Sequence, residues 1–576
     1  MTKYQAVYDH WLSSPVLTEE DRDALRLIAR DEEKKALCFG THMSFGTAGL
    51  RAVMAPGTAC MNVYTVAHTT QALARLVLSE QGAERGVVID YDSRHHSREF
   101  AHVAAEVLAA NGIRVYLFDG VRPTAELSFA IRTLGCMAGI SITASHNPKQ
   151  YNGYKAYWSD GSQLSPAQAG AVCAACAEID VLSGAKHTDF EQAVAAGVIR
   201  YLDASFDEIF IAAVMQTAIR KQVMREVSDT FPVVYTPLHG AGYRLIPDVL
   251  RRAGLVHVHT VPEQMVQDGD FPTVAYPNPE YADAFRLGVA LAEKVGSDLV
   301  IATDPDADRV GVMCRGADGR FTAITGNQMG ALLLDYVIGA KKERGDLTAD
   351  DYAVKSFVST ELANRIAERH GVQLYEVPTG FKYVGEVLTD RERRGGAGQL
   401  LCAFEESYGY LPGSYARDKD AVGAVLLICE MAAWYRQQGM SLLQALARLD
   451  DTYGLCREGV LDLYMEGLEG LERRRRVMSL LRAHTPSAFG GVAVAEASDF
   501  RSGLTRNLRD GTESPAPLSG PDVLCYRLQN GDKIIVRPSG TEPKIKVYCH
   551  ARGENEAEIE RKLAAYKADA DRLRQV

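Results

Sequence analysis

The sequence repeatedly follows a short, β-branched apolar run with a polar turn and a helix-like stretch. The runs GVVIDYDSR at 86–94 and GISITASHNP at 139–148 share this plan, with the helix-like SREFAHVAAEVLAANG between them. It recurs in FPVVYTPLHGAG at 231–242, DLVIATDPDADR at 298–309 and GQLLCAFEESYG at 398–409. Strand–helix–strand units form parallel sheets, which bind ligands at the carboxyl ends of their strands. The pattern predicts three α/β domains in series, each offering one loop to a shared cleft.

The last part of the chain has a different pattern. Residues 524–550 read LCYRLQNGDKIIVRPSGTEPKIKVYCH, in which Asn530 and Gly531 predict a hairpin turn between alternating strands. A length of 576 residues suggests about four domains at roughly 150 residues each. We therefore predict three consecutive α/β domains with mixed, mainly parallel sheets and a smaller C-terminal α+β domain around a central cleft. The predicted domains span residues 1–208, 209–324, 325–455 and 456–576.

The composition and net charge limit the kinds of molecule that this protein is expected to bind. The hydrophobic fraction of 47% and the charged fraction of 24% are those of an ordinary soluble protein. A net charge of -11 argues against binding to nucleic acid, which requires an excess of Lys and Arg. The arginine clusters at 391–394 and 473–476 lie in polar, helix-like stretches and are interpreted as solvated helix faces.

The cysteines and the N-terminal sequence indicate the cellular compartment in which the protein is expected. Eleven cysteines, with no repeated metal or disulfide spacing, suit a reducing cytosol. Cys173 and Cys176 form one CxxC in an alanine-rich helical pattern and are interpreted as packing residues. The N-terminal MTKYQAVYDHWL lacks the apolar core of a signal peptide, and no apolar run approaches the roughly 20 residues of a membrane span. We expect a cytoplasmic protein without membrane contact.

The loop at 143–155, TASHNPKQYNGYK, is the first candidate site. Ser145 follows an apolar strand, so we expect an exposed hydroxyl where that strand ends. Pro148 and Gly153 indicate a fixed turn. The positively charged Lys149 and Lys155 suit a phosphate group, which either belongs to a bound ligand or is carried by the serine itself. The same residue types also occur in ordinary turns, and the loop alone leaves both interpretations open.

A second candidate loop, DPDADR, places Asp304, Asp306 and Asp308 at alternate positions after a strand. Three like charges at a sheet edge favour a bound cation over a solvated turn. An EF-hand would need Gly and Glu at its sixth and twelfth positions, where this chain has Arg309 and Arg315. Because a phosphate is the expected companion ligand, the loop predicts Mg²⁺.

Two further loops suit sugar and phosphate recognition. In FEESYG, Glu405 and Ser407 can hydrogen-bond adjacent sugar hydroxyls, although two neighbouring acids are equally typical of a helix N-terminus. In RPSGTEP, Arg537 with Ser539 and Thr541 can hold a phosphate that does not react. The chain has no Walker loop and no complete GxGxxG, so nothing indicates ATP or NAD.

Taken in order, these four loops resemble the signatures of the α-D-phosphohexomutase superfamily, and the resemblance covers nearly the whole chain. The segments FGTAGLR, TPLHGAG, DGDFPTVAYPNPE, VPTGFKYVG and FEESYG are most similar to its phosphoglucomutase and phosphopentomutase branch.

The resemblance implies roles for individual residues. Ser145 would be the phosphoserine that gives its phosphoryl group to the sugar and takes one back, and an oxygen of that group with the three aspartates would bind one Mg²⁺ per active site. Lys155 is the first candidate for proton transfer with the sugar hydroxyl and His146 the second, with Arg51 adding positive charge. The implied substrate-binding residues are Arg309, Lys355, Thr379, Gly380, Lys382, Glu405, Ser407, Lys419, Arg537, Ser539, Gly540 and Thr541.

The implied reaction interconverts α-glucose 1-phosphate and glucose 6-phosphate through glucose 1,6-bisphosphate, which is both primer and intermediate. The partner is thus a small phosphosugar, and the sequence leaves monomer and dimer open. A phosphopentomutase or a phosphomannomutase on the same scaffold is the alternative, followed by a sugar bisphosphate synthase. A non-catalytic phosphosugar-binding protein is disfavoured, because Ser145, the three aspartates and Arg537 are all present.

Overall fold

The structure is a computed structural model that describes residues 3–43, 49–465, 467–539 and 544–575. The chain divides into two compact units. The first comprises Met1–Gly326 and Phe381–Ser441, and the second comprises Asn327–Gly380 and Leu442–Val576.

The first unit opens with three helices and continues into a sheet flanked by helices. Its elements are α1 (Lys3–Ser13), α2 (Glu19–Leu27), α3 (Glu32–Phe39), β1 (Leu50–Val53), α4 (Val63–Ser79), β2 (Val87–Tyr91), α5 (Ser97–Ala110), β3 (Val115–Phe118), α6 (Thr124–Leu134), β4 (Ala138–Ile142), β5 (Tyr151–Trp158), α7 (Pro166–Glu178), α8 (Phe190–Ala195) and β6 (Ile199–Leu202).

The first sheet has six strands in the order β1-β5-β4-β2-β3-β6. Strands β4, β2, β3 and β6 are parallel, while β5 runs antiparallel to both β4 and β1. All five residues of β2 and of β4 are buried, because helices cover both faces of the sheet, so these strands are apolar throughout. Because β2 and β4 are parallel, the polar segments that follow them, 92–94 and 143–148, lie at the same edge of the sheet, as the sequence predicts.

One expectation for the serine loop is wrong. Gly153 does not lie in a turn, because the chain is already extended in β5 at that point. A Cβ on Gly153 would lie 2.5 Å from the Thr143 carbonyl oxygen and 2.6 Å from that of Leu50. The glycine therefore allows three backbone segments to approach closely, which is a requirement of packing rather than of turn geometry.

A second sheet follows in the same unit. Its region contains α9 (Ala204–Met215), α10 (Val223–Glu226), a 3-10 turn (Ser228–Thr230), β7 (Val233–Thr236), α11 (Gly242–Arg252), β8 (Val258–Thr260), 3-10 turns (Pro262–Gln264 and Ala282–Phe285), α12 (Arg286–Val295), β9 (Leu299–Thr303), β10 (Val310–Arg315) and β11 (Phe321–Ile324). The strand order is β11-β10-β9-β7-β8, with β9, β7 and β8 parallel. The acidic loop joins β9 to the antiparallel β10.

The middle of the chain passes from one unit to the other and back. Its elements are α13 (Gly326–Arg344), β12 (Tyr352–Ser356), α14 (Leu362–His370), β13 (Gln373–Val377), α15 (Lys382–Arg393), β14 (Leu400–Glu405), β15 (Gly409–Leu411) and α16 (Ala421–Gln437). In the second unit β12 and β13 pair in parallel, and in the first unit β14 and β15 form an antiparallel hairpin.

The rest of the second unit is rich in β-structure. It contains α17 (Leu442–Tyr453), β16 (Cys456–Tyr464), α18 (Gly467–Ala483), β17 (Ala488–Phe489), β18 (Val492–Asp499), β19 (Leu504–Asn507), β20 (Glu513–Pro515), β21 (Leu524–Leu528), β22 (Lys533–Pro538), β23 (Lys544–Arg552), α19 (Glu556–Asp571) and a final 3-10 turn (Arg572–Gln575). Strands β16, β23, β22, β21 and β18 to β20 form one antiparallel sheet. The predicted hairpin at Asn530 and Gly531 is confirmed, with Gly531 at φ 85°.

The predicted fold class is confirmed by these mixed α/β layers and the antiparallel C-terminal sheet with its helices. Cys173 and Cys176 lie in α7 as free thiols, in agreement with a packing role. Among the helices that the structure describes, none has the length and apolar character needed to cross a membrane.

Candidate active site

Ser145 lies in the loop that follows β4, and its backbone is unusual. Its φ of 52° is in the left-handed region, which side-chain-bearing residues enter at a cost. The Ser145 amide donates to Thr143 Oγ1 at 2.8 Å, and the Thr143 hydroxyl donates to Asp92 Oδ2 at 2.7 Å. The expectation of an exposed hydroxyl is wrong, because Ser145 is only 1% exposed. The acidic loop packs directly against it.

Sequence reasoning missed Arg94, which holds the serine loop in shape. Its guanidinium is buried and donates to the carbonyl oxygens of four loop residues: Ser145, Asn147, Pro148 and Tyr151. Asp92 lies 3.2 Å from Arg94 Nε and balances its charge. The available signal was the polar DSR that ends the run at 86–94, which sequence reasoning treated only as a turn.

The acidic loop meets Ser145 through Asp304. Ser145 Oγ donates to Asp304 Oδ2 at 2.6 Å. The other oxygen, Oδ1, accepts from the backbone amides of Asp308 at 3.1 Å and Arg309 at 2.9 Å, which closes the loop on itself. The two loops are 159 residues apart in sequence, so the contact joins the first and second sheets of this unit.

The three aspartates have the properties of a cation site. One carboxylate oxygen from each of Asp304, Asp306 and Asp308 lies within 4.8 Å of the others, and all three side chains are buried. Among the described residues, Asp306 Oδ1 and Asp308 Oδ1 are buried without a hydrogen-bond partner. Burial and the charges of Asp308 and Asp306 raise the pKa of Asp304 well above its usual range. These residues therefore fit a divalent metal ion with oxygen ligands.

Several cations surround the acidic loop. Lys155 Nζ donates to Asp306 at 2.6 Å and to Asp308 at 3.1 Å. Burial alone would lower the pKa of Lys155, but these two carboxylates raise it above the ordinary value. Lys419 Nζ lies 3.4 Å from Asp308 Oδ2. Arg309 pairs with Glu280 at 2.5 Å.

Arg51 and His146 complete the group on the serine side. Arg51 in β1 donates to Asn147 Oδ1 at 3.2 Å, so it contacts the loop that carries Ser145. His146 Nδ1 lies 3.2 Å from Ser145 Oγ. Burial, followed by the charges of Arg309 and Arg51, lowers the pKa of His146 well below its usual range. The imidazole is thus neutral beside the serine. Residues 45–48 of the FGTAGLR segment lie outside the described residues.

The FEESYG motif forms the hairpin between β14 and β15 rather than a helix N-terminus. Glu405 pairs with Gly409 across the hairpin and is buried, whereas Ser407 is half-buried at the turn. The Val310 amide donates to the Tyr408 carbonyl oxygen at 2.9 Å, which attaches the hairpin to the end of the acidic loop. Lys382, at the start of α15 in the same unit, is half-buried with its ammonium 5.2 Å from the Tyr383 ring.

The other predicted site residues belong to the second unit. Lys355 is fully buried, donating to the Ser359 carbonyl oxygen at 3.0 Å and pairing with Glu376 at 2.8 Å. Its ammonium therefore has a structural partner within that unit. Thr379 and Gly380 are half-buried after β13, and Gly380 has φ 117°.

The RPSGTEP motif is described only at its ends. Arg537 lies in β22 opposite Lys546 of β23, and the Ser539 amide donates to the Lys544 carbonyl oxygen at 2.9 Å. Gly540 and Thr541 lie outside the described residues.

Comparison with known families decides the classification. Four domain models of the phosphoglucomutase/phosphomannomutase family match the chain in order, with alpha/beta/alpha domains I, II and III at 42–182, 208–318 and 325–453 and the C-terminal domain at 493–565. The chain belongs to this family. The phosphoglucomutase/phosphomannomutase family is part of the α-D-phosphohexomutase superfamily, so the superfamily expected from the loop motifs is confirmed, and the protein is an enzyme.

Individual relatives span almost all of this phosphohexomutase. The phosphoglucomutase of Staphylococcus saprophyticus is 35% identical over 537 residues, covering 93% of this chain and 95% of that protein. The phosphoglucomutase of Staphylococcus epidermidis (strain RP62A) is 36% identical over 526 residues, covering 90% and 92%. Among solved structures, the open form of parafusin, a phosphoglucomutase from Paramecium, has a TM-score of 0.68 at 16% identity and covers 93% of this chain and 96% of its own. The structural likeness shows a shared fold.

Proposed function

We propose that this phosphohexomutase interconverts α-glucose 1-phosphate and glucose 6-phosphate by phosphoryl transfer to and from Ser145, through glucose 1,6-bisphosphate. The observation that carries the proposal is the 2.6 Å contact between Ser145 Oγ and Asp304 within the buried aspartate cluster. It places a nucleophilic oxygen beside a cation site, which is the arrangement that phosphoryl transfer requires. The curated relatives at about 35% identity are phosphoglucomutases, which supports glucose phosphates as substrates.

The metal in this proposal is one Mg²⁺ per active site. Asp304, Asp306 and Asp308, with one oxygen of the phosphoserine, would hold the ion, which supplies charge neutralisation for the transferring phosphoryl group. Oxygen ligands and a phosphate companion favour Mg²⁺ over softer metals.

The transfer step assigns roles to the surrounding side chains. The bond between phosphorus and Ser145 Oγ breaks, a bond between phosphorus and a sugar hydroxyl oxygen forms, and the proton of that hydroxyl moves to a base. Lys155 is the first candidate for exchanging this proton and His146 the second, since both lie beside the serine or its aspartates. Arg51 and Arg309 contribute positive charge. The second transfer returns the other phosphate of the bisphosphate to Ser145.

Substrate recognition is proposed for the remaining residues. Glu405 and Ser407 would hydrogen-bond sugar hydroxyls, and Lys382, Lys419, Thr379 and Gly380 would also bind the substrate. Arg537, Ser539, Gly540 and Thr541 would hold the phosphate that does not react, and Lys355 would add positive charge. We also propose a cytoplasmic location, since the eleven free cysteines suit a reducing compartment.

The decisive experiment replaces the serine. Ser145→Ala removes the phosphoryl acceptor, so mutase turnover falls below detection while the thermal unfolding midpoint stays close to that of the wild type. Ser297→Ala removes a buried serine of the same unit that hydrogen-bonds Pro232, and it retains turnover. Full activity in Ser145→Ala would exclude this residue as the phosphoryl carrier.

The choice of sugar has its own test. Initial rates are compared on α-glucose 1-phosphate, mannose 1-phosphate and ribose 1-phosphate with Mg²⁺ and a trace of the matching bisphosphate. We expect the highest rate with glucose 1-phosphate. A pentose or mannose preference would replace the substrate and leave the serine mechanism intact.

A further inference from the structure

Lys419 lies between two of the loops that form the site. Its ammonium is 3.4 Å from Asp308 of the acidic loop and 2.8 Å from Asp418, and only 12% of its side chain is exposed. Its aliphatic stem passes over Gly409 in the FEESYG hairpin, where an added Cβ would lie 2.2 Å from Lys419 Cδ. The lysine is therefore confined along its length, with its charged end at the acidic loop.

Asp418 holds that ammonium and is itself held from another element. The Asp418 carboxylate accepts from the Tyr157 hydroxyl at 2.7 Å and from Gln163 Nε2 at 2.9 Å. One of its oxygens also accepts from the Lys419 amide at 2.8 Å. Asp418 is 1% exposed and Tyr157 is fully buried, so the carboxylate has one arrangement fixed by donors from β5 and the segment after it.

Strand β5 thus contributes to the positions of two lysines of the site, Lys155 and Lys419. Lys155 and Tyr157 are two residues apart in an extended strand, so their side chains leave the same face. Lys155 contacts Asp306 and Asp308 directly, whereas Tyr157 reaches the site through Asp418 and Lys419. The lysine ammonium sits on a flexible four-carbon stem, so a partner such as Asp418 is needed to fix its position.

We propose that Tyr157, acting through Asp418, is a positioning residue that aims the Lys419 ammonium at the reacting phosphate beside Ser145. The inference rests on the proposed function, because it assumes that the phosphosugar reacts at this serine. It adds a role for a tyrosine hydroxyl that does not itself contact the three aspartates of the metal cluster.

The kinetic test is a double-mutant cycle. Tyr157→Phe removes one hydroxyl, and we expect kcat to fall about tenfold with KM changed less than twofold. Lys419→Met lowers kcat further, and adding Tyr157→Phe to it changes nothing more, since the hydroxyl acts only through the lysine. Tyr154→Phe is the matched control, because it removes a fully buried hydroxyl from the same strand that contacts Thr70 instead, and it leaves kcat unchanged.

A second readout needs no turnover. Labelling of Lys419 by an acetylating reagent, followed by peptide mass spectrometry, is expected to be several-fold faster in Tyr157→Phe and unchanged in Tyr154→Phe. If Tyr157→Phe fails to fold, Gln163→Met removes the other neutral donor to Asp418 and is expected to act in the same direction.

The outcomes separate the two proposals. A wild-type protein without mutase activity would overturn the proposed function, whereas the labelling comparison would still test whether Tyr157 holds Lys419. Unchanged labelling in Tyr157→Phe, or an equal loss of kcat with and without Lys419, would overturn the positioning role.

Discussion

At the scale of single residues, the site depends on unusual backbone positions held by specific contacts. Ser145 adopts a left-handed φ and is kept there by Arg94, whose guanidinium satisfies the carbonyl oxygens of the loop. Residues in sparsely populated backbone regions persist only where the surroundings determine them. The serine is therefore oriented before a ligand arrives, and its direction is set by a residue from a different strand end.

Gly240 shows a similar dependence at the acidic loop. A Cβ on Gly240 would lie 2.4 Å from Pro305 Cα, and the next amide, that of Ala241, donates to the Pro305 carbonyl oxygen at 2.8 Å. The TPLHGAG segment thus packs backbone to backbone against the loop of the three aspartates.

We expect Gly240→Ala to displace the acidic loop, at a cost of about 1–3 kcal/mol in unfolding free energy. The Mg²⁺ concentration for half-maximal activity should rise several-fold, as measured by titration of the metal-depleted enzyme. Gly170→Ala is the control, because Gly170 lies in α7 with open space where the added Cβ would be, so the substitution should be neutral or slightly stabilising. An unchanged Mg²⁺ requirement in Gly240→Ala would contradict this account.

At the scale of elements, the helix after the site is fixed by a buried cap. Asp420 is the N-cap of α16, and its carboxylate accepts from the amides of Val422 at 2.8 Å and Gly423 at 3.0 Å and from the Tyr415 hydroxyl. Because Asp420 is fully buried, water cannot replace its carboxylate, and removing the carboxylate would leave these donors without an acceptor. The cap also ends the segment that carries Asp418 and Lys419, so it connects helix stability to the site.

Asp420→Ala should therefore destabilise the protein more than loss of an exposed cap does. We expect a loss of about 2 kcal/mol in the free energy of unfolding, measured with urea, against about 1 kcal/mol for Asp203→Ala. Asp203 caps α9 through the Ser205 amide at 2.9 Å on the exposed surface. Equal losses for the two variants would show that burial of the Asp420 cap adds nothing.

At the scale of the whole molecule, each unit has its own charge network. In the second unit, Glu361 pairs with Lys533 of β22 and, at 3.1 Å, with Arg552 of β23, which ties residues 327–380 to the C-terminal sheet. Burial alone would raise the pKa of Glu361, but Lys533 and Lys355 attract the carboxylate and hold its pKa below the ordinary value of 4.5.

The division into four domains stays a prediction, since the compact units are two.

The depressed pKa of Glu361 fixes the sign of a pH effect. The carboxylate stabilises the fold fully above pH 4.5, its unfolded value, and this contribution is lost as the pH falls through the lower folded value. We expect Glu361→Gln to lose about 3 kcal/mol at pH 7, with the difference from wild type shrinking below pH 4.5. Urea unfolding of the second unit across this range measures it.

Glu556→Gln is the control for this prediction. Glu556 pairs with Arg457 at 2.5 Å, but its side chain is 55% exposed, so little change is expected at any pH. A difference between wild type and Glu361→Gln that stays constant from pH 7 to pH 3 would contradict the assignment.

The sequence by itself determined the local features of this protein. Apolar runs followed by polar loops were sufficient to place Ser145 and the three aspartates after strands, and Asn530 with Gly531 predicted the hairpin, because each pattern depends on neighbours in the chain. Spacing also indicated the cation site, since alternate carboxylates in one loop repel each other without one.

Only the tertiary structure decided which distant groups meet. It buried Ser145 under Asp304, turned the expected loop around Gly153 into strand β5, and gave Arg94 and Tyr157 their partners. Tyr157 and Asp418 are 261 residues apart, and no local pattern encodes such a contact. The reason is physical: periodicity reports the face of an element that is buried, whereas the partner on that face is set by the packing of the whole fold.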